Sequence, residues 1–284
     1  MKKFITIFIC VIFCAVFLTA CVSSQGKSAY DLYLDMQKAM IDVKSIDMDM
    51  SFAMEFTINT EPADYSSGES HTTNNINGNM KQIRKNADDF DMAMDFQTSN
   101  SASAGGLNPH AFNWTFKSYY TGGIYYELGI EGESKHGTQH PMTVEDVRRE
   151  LELDKIVTLD FSETAIKESK ITDLDNGGRQ VEFTLSGDGM TGYFLEKMRA
   201  AYPSPSLENA ELIFNDFTCE AVIDKNNMTK SYKMICNVTV TGFSATSFQE
   251  EWHYTEEISV TVNSYNNVII EFPPDLEDYT DINF

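Results

Sequence analysis

Basic residues are scarce. Only 21 Lys and Arg stand against 43 Asp and Glu, a formal charge of −22 over 284 residues. A chain this acidic has no clustered cations to displace the counterions of nucleic acid, so nucleic acid is not an expected partner. Nor does such a surface hold anionic lipid headgroups by itself. Cysteine is nearly absent as well: Cys10, Cys14, Cys21, Cys219 and Cys236 are the five, with no CxxC and no Cys/His spacing suited to zinc. No Gly-x-Ser-x-Gly elbow occurs, and the one Ser-x-x-Lys, Ser24 to Lys27, falls in a short polar stretch with no fold around it. Asp173 to Gly178 (DLDNGG) looks like a calcium loop only in part, because Thr184 stands where the bidentate Glu belongs. His136 and His140 are four apart, but Gly137 and Pro141 exclude a helix there. No catalytic residue, metal ligand or cofactor is expected, and the chain reads as a non-enzyme. Long apolar runs are missing too, with one exception at the start. Phe4 to Phe17 is almost unbroken, yet a membrane span needs about 20 apolar residues.

Lys2 and Lys3 precede that run and Leu18-Thr19-Ala20-Cys21 closes it. Positive start, apolar middle and small-residue end make the layout of an export signal. The closing four residues, an aliphatic, a polar, a small one and then Cys, resemble the lipobox of bacterial lipoproteins. The resemblance implies cleavage after Ala20 and a diacylglyceryl thioether on Cys21. It therefore implies a chain attached by acylated Cys21 to the outer face of the bacterial cell membrane. Two acyl chains suffice for stable anchoring, at about 0.8 kcal/mol for each buried methylene. Residues 1–20 are then the signal, 21–28 the lipidated Cys and a short tether, and 29–284 a single domain.

Behind the tether the period of the sequence is first helical. Ser28 with Asp31 three residues on has the form of a capping box, and Tyr33, Met36, Met40 and Val43 fall on one apolar face. The period then changes to two. Across Ile46 to Ile58 (IDMDMSFAMEFTI) every even position is apolar: Ile46, Met48, Met50, Phe52, Met54, Phe56 and Ile58. Alternation this clean predicts a strand with one apolar and one wet face. At about 3.3 Å per residue it is roughly 43 Å long, well beyond an ordinary strand. Such a strand predicts a wide antiparallel sheet curled around something apolar.

The alternation returns in Phe90 to Gln97, Phe112 to Phe116, Ile124 to Ile130, Val181 to Leu185, Phe217 to Ile223, Met234 to Val240 and Trp252 to Val262. Gly122-Gly123, Asn176-Gly177-Gly178 and Asp224 to Asn227 are hairpin turns between them. The polar stretch Thr72 to Lys85 is expected at a sheet edge, with Lys81, Arg84 and Lys85 guarding it against aggregation. Two further helices are expected, one capped by Thr143 and one from about Gly189 to Ala201 that Pro203 and Pro205 end.

The opening helix Ala29 to Ile46, the strand Asp47 to Ile58, the hairpin Glu220 to Tyr232 and the ending Asn266 to Tyr279 (NNVIIEFPPDLEDY) together resemble the bacterial lipoprotein-carrier superfamily. That group holds the periplasmic carrier and outer-membrane receptor of lipoprotein sorting and the mycobacterial lipoproteins that carry lipids. The likeness is closer still to uncharacterised lipoproteins of Gram-positive anaerobes. It implies a mainly β (α+β) fold: a curved antiparallel half-barrel with about three helices closing an apolar cavity. The lipid anchor sets the chain apart from the soluble carrier and argues against long-range shuttling.

On this reading Met48, Met50, Met54, Phe56, Met92, Met94, Trp114, Phe116, Tyr126, Trp252 and Tyr254 line a pocket for a lipid or other apolar small molecule. Methionine suits a surface that accepts varied apolar shapes. The alternative is that the same residues are ordinary core, in a surface interaction or sensory module with a filled interior. Cys219 and Cys236 share the apolar face of one hairpin. A turn centred between Asn227 and Met228 sets them opposite each other, where a disulfide is geometrically allowed. A turn centred between Asn226 and Asn227 sets them diagonally and leaves both free.

Overall fold

The computed structural model describes residues 27–60, 69–86, 89–104, 110–131, 134–150, 161–187, 211–243 and 250–281. The signal segment, Cys21 and the expected helix over 189–201 lie outside them.

The first element is helix α1 (Ala29–Ile41). Its start is the capping box read from the sequence: the Ser28 hydroxyl accepts from the Asp31 amide at 3.0 Å, and the Asp31 carboxylate accepts from the Ser28 amide at 3.1 Å. The Ser28 hydroxyl, which also donates to that carboxylate at 2.8 Å, and the Ser28 amide hold the Asp31 carboxyl below its ordinary range. The long alternating segments follow as β1 (Ser45–Thr60), β2 (Glu69–Asn86), β3 (Asp89–Ala104), β4 (His110–Thr121), β5 (Ile124–Glu131) and β6 (Ser134–Pro141). Helix α2 (Val144–Glu150) comes next, with Thr143 accepting from the Asp146 amide at 3.1 Å. Then come β7 (Ile166–Asp173), β8 (Arg179–Leu185), β9 (Glu211–Ile223), β10 (Thr229–Phe243), β11 (Glu250–Tyr265) and the two-residue β12 (Thr280–Asp281).

All twelve strands join one open, curled sheet in the order β12-β6-β5-β4-β3-β2-β1-β11-β10-β9-β8-β7. Every pairing is antiparallel except that of β12 on β6. The chain lays down one wing as a meander, β1 to β6, and crosses to the far edge. It then lays down the second wing, β7 to β11, back toward the start. The seam where β11 meets β1 stands in the middle of the sheet, in register from Met48 opposite Val262 to Thr60 opposite Glu250. The fold is mainly β, as expected, with two helices rather than three among the described residues.

The polar stretch Thr72 to Lys85 corrects the expectation of an edge. As β2 it lies inside the sheet between β1 and β3. A strand wet on one face needs apolar residues only at alternate positions, and Met80 is 1% exposed there. Gly78 also belongs to the interior. A Cβ at this position would sit 2.1 Å from the Asp95 carbonyl oxygen and 2.5 Å from the Phe96 ring. Lys81 and Lys85 guard no edge: Lys85 pairs with Asp91 at 2.7 Å and Lys81 lies 3.9 Å from Asp47. One true edge is β7, IKESKITD, whose exposed lysines suit it to that place.

Candidate functional site

Register divides the sheet into two faces. One carries the even positions of β1, β2, β3, β4, β10 and β11, and they line up in transverse rows. The row through Met48 joins Val262, Met80 and Met94. The row through Met50 joins Val260, Gly78, Phe96 and Phe116. The row through Phe52 joins Ile258, Ile76, Thr98 and Trp114. The end of this face nearest α1 is sealed. Met48, Met80, Phe90, Met92, Met94 and Tyr120 are buried and belong to one core cluster with Leu32, Tyr33 and Met36 of α1. Tyr33 stacks on Phe161 at 4.7 Å and meets the edge of Phe183 at 5.9 Å, which ties α1 to β8. Toward the far end of β1 to β4 the same face is half-buried. Met50, Met54, Phe56, Ile58, Phe96 and Phe116 are partly exposed, and Trp114 and Phe112 reach 39% and 54%. Phe56 packs edge-on against the buried Trp252 at 5.2 Å, and Trp114 against Phe116 at 6.0 Å.

Ten of the eleven residues expected along an apolar pocket therefore share this face. Met48, Met92, Met94 and Trp252 are buried in it, while Met50, Met54, Phe56, Phe116, Tyr254 and the more exposed Trp114 stand in the half-buried wall. Tyr126 is a correction. It pairs with Tyr119 on the opposite face, because the two-residue turn after Thr121 shifts the parity of β5, and even positions of β5 face the polar side. There it packs with Leu276 and the edge of the Tyr279 ring.

One row interrupts the apolar face. Cys236, Glu256, Met54, Asn74, Asn100 and Phe112 stand opposite one another across β10, β11, β1, β2, β3 and β4. Glu256 is 3% exposed. Its hydrogen bond comes from the Tyr254 hydroxyl at 2.5 Å. The side-chain oxygens of Asn74 and Asn100 are buried with no hydrogen-bond partner. Sequence reading passed over all three. The signal was there for Glu256, an acid in the inward series Trp252, Tyr254, Glu256, Ile258, Val260. Asn74 and Asn100 gave none, since polar residues surround them in the sequence on both sides.

The opposite face is polar and carries a strap. After Tyr265 the chain turns at Asn266, whose backbone φ is +61°. The Asn266 amide donates to the Ser45 carbonyl at 2.9 Å, and its side chain accepts from the Lys44 amide at 2.9 Å. The chain then crosses the polar side to reach β6, packing Phe272 on Tyr119, Leu276 on Tyr119 and Tyr126, and Tyr279 on Gly137. Burial pushes the Tyr119 and Tyr279 phenols above their ordinary range. Between strap and sheet lies a groove of about 1050 Å³ lined by Asp49, Asn77, Asn79, Asp95, Gln97 and Glu271, among others. A second hollow of about 510 Å³, between Lys170, Glu182, Glu220 and Lys233, is on the polar side too. Both hollows thus lie across the sheet from the methionine-lined face.

Cys219 and Cys236 are buried and not disulfide-bonded. The β9–β10 turn sets Cys219 opposite Met234 and Cys236 opposite Phe217, which is the diagonal arrangement of a turn centred between Asn226 and Asn227. Burial pushes the Cys219 thiol up to about 12, so it is no nucleophile.

No family model matches the chain, and no curated protein does. Among solved structures the chain is similar to a β-barrel-like protein of a domain of unknown function, DUF1849, from Brucella abortus. The two are 8% identical, the match covers 78% of this chain and 100% of that one, and the TM-score is 0.19. A score this low says nothing of ligand or activity.

Proposed function

We propose that the protein is a lipid-anchored, extracytoplasmic binding protein of the lipoprotein-carrier type, which holds a lipid or other apolar molecule against the even face of its sheet. One observation carries this reading: Met54, Phe56 and Ile58 of β1 and Phe96 and Phe116 of β3 and β4 are only half-buried and Trp114 is exposed, while the same face is sealed beside α1. Apolar side chains in contact and open to water mark a surface that another apolar body covers, and ligand sites are mostly apolar with a few placed polar groups. Acylated Cys21 supplies the membrane attachment that a surface of this acidity does not. The complete burial of Met48 and Met92 favours the second reading, a surface interaction module with a filled core.

Native mass spectrometry of the mature lipoprotein, purified without detergent, separates the two. A co-purifying adduct of lipid mass, lost on organic extraction and regained on incubation with membrane extract, is the expected result. A bare mass that gains no adduct from such an extract sinks the carrier reading.

A further inference from the structure

We infer that the transverse row through Glu256 is a head-group site, and that the ligand is an amine-bearing amphiphile rather than a fatty acid or a phosphate-headed lipid. The inference rests on the apolar-ligand reading and specifies the class of molecule.

The chemistry of the row sets the class. Glu256 is 97% buried, on a face that is otherwise apolar along β10, β11 and β1. From Tyr232 to Val240, Met48 to Ile58 and Trp252 to Val262 the even positions hold no Lys, Arg or His. Glu256 is the lone acid among them. A carboxylate offers about four acceptor sites, and among the described residues Glu256 receives one bond, from Tyr254. A buried acid with so few partners is costly to keep. Two strands along the same row, on the other side of Met54, the Asn74 oxygen is buried and unpaired, and the Asn100 oxygen beyond it is too. At about 4.8 Å per strand, roughly 10 Å separates the backbones carrying Glu256 and Asn74. Three acceptors thus lie in one line that runs from the buried Glu256 of β11 into the half-buried wall of β1 to β3.

Such a line calls for a ligand group that brings donors and positive charge. A primary ammonium has three donors and no acceptor, so it can pair with the Glu256 carboxylate and turn a remaining donor toward the Asn74 side of the row. An anionic head meets a buried acid and no cation from these three strands. The tail of the ligand lies along Phe52, Ile76 and Trp114, on the adjoining row, and along Phe96 and Phe116 on the row beyond it.

Competition against a neutral hydrocarbon fluorophore, diphenylhexatriene, tests this with the full mature chain. Dodecylamine is expected to displace the fluorophore at concentrations about tenfold below those of dodecanoate, the size of one charge-assisted hydrogen bond. Glu256→Gln keeps the shape and an acceptor for Tyr254, and is expected to remove most of that advantage, read as the ratio of the two displacing concentrations, which fluorophore affinity does not alter. Glu257→Gln deletes the same charge on the opposite face, where Glu257 pairs with Lys233 at 2.8 Å, and is expected to preserve the advantage. It thereby controls for the overall acidity. Asn74→Leu gives a second variant at the row, expected to lower the amine-to-carboxylate preference severalfold. Equal displacement by amine and carboxylate in the wild type, or an advantage that survives both Glu256→Gln and Asn74→Leu, overturns the inference and leaves the apolar-ligand reading standing. Failure of the wild type to bind the fluorophore at all overturns that reading, and the inference with it.

Discussion

Met50 and Asp49 are neighbours in sequence with opposite surroundings. Met50 sits half-buried between Val260 and Gly78, while Asp49 is exposed on the polar face beside Asn79. Met50→Asp places an unpaired carboxylate on the apolar face, at a cost of several kcal/mol on the order usual for a buried charge. It is expected to weaken hydrocarbon uptake tenfold or more in a fluorophore titration, whereas Asp49→Ala changes it less than twofold. Equal loss in both variants contradicts the assignment of faces. The two cysteines give a second residue-scale expectation. The thiolate is the reactive form, and burial holds the Cys219 thiol at about 12. Neither Cys219 nor Cys236 is expected to take up iodoacetamide at pH 8 in the folded chain, and both take it up in denaturant, read by peptide mass. A native mass two hydrogen atoms lighter than the reduced chain at that hairpin contradicts the diagonal register. Tyr265 supplies the pH dependence. Its hydroxyl donates to the Thr229 carbonyl, and burial holds its phenol well above the ordinary value of 10.0. The folded state thus keeps a proton that the unfolded chain loses, so this stabilisation is complete below pH 10 and declines as the pH rises beyond it. Tyr265→Phe is expected to cost about 1 kcal/mol at neutral pH and to flatten the alkaline fall in urea midpoint.

At the scale of elements, legibility followed the contrast between the two faces of each segment. In β1 the contrast is strong, seven large apolar residues against Asp47, Asp49, Ser51, Ala53, Glu55 and Thr57, and face and extent were both readable. The capping box of α1 was readable for a different reason, because it is a local contract between Ser28 and Asp31 that no distant residue alters. In β2 the contrast fails. Its inward series Ser70, Thr72, Asn74, Ile76, Gly78 and Met80 turns apolar only near the end toward α1, so a central strand read as an edge. Tyr126 was misplaced by one residue of parity, since an alternating pattern in β5 gives the spacing of a face and not which side it faces. The turn that sets this parity is specified by chemistry: Gly122 and Gly123 both have positive φ, +59° and +82°, as a two-residue hairpin demands. Gly123→Val forces a β-branched residue into that region, where a residue with a Cβ costs roughly 1 to 2 kcal/mol. The expected drop in unfolding free energy is of that size by urea titration, with fluorophore binding on the distant wall unchanged. No loss of stability at all indicates a turn of another type.

At the scale of the molecule, two meanders meet at the β1–β11 seam, and the chain end returns across the polar face as if to lash the first wing. The strap was not legible in the sequence. Ile269 to Pro274 (IIEFPP) has no period to place it, and the aromatic residues it covers, Tyr119 and Tyr126, come from strands far away in sequence. The strap also explains why β5 and β6, short and at one edge of the sheet, need no core of their own on that side. Leu276 is the buried centre of a small cluster with Tyr119 and Tyr126, and β12 adds two residues of parallel pairing to β6. Removing a buried leucine costs about 2 to 5 kcal/mol, and in a satellite cluster at a sheet edge the low end of that range applies. Local opening, rather than global unfolding, should take up this loss, because the main core lies on the other face of the sheet, where β5 adds Tyr125 to it, and does not include Leu276. Leu276→Ala is therefore expected to raise amide hydrogen exchange over 124–141 by about an order of magnitude or more, with exchange in the β9–β10 hairpin unchanged. A uniform rise across both wings places the strap inside the same cooperative unit as the main core, and makes the polar groove beneath it a fixed part of the fold instead of a space that opens.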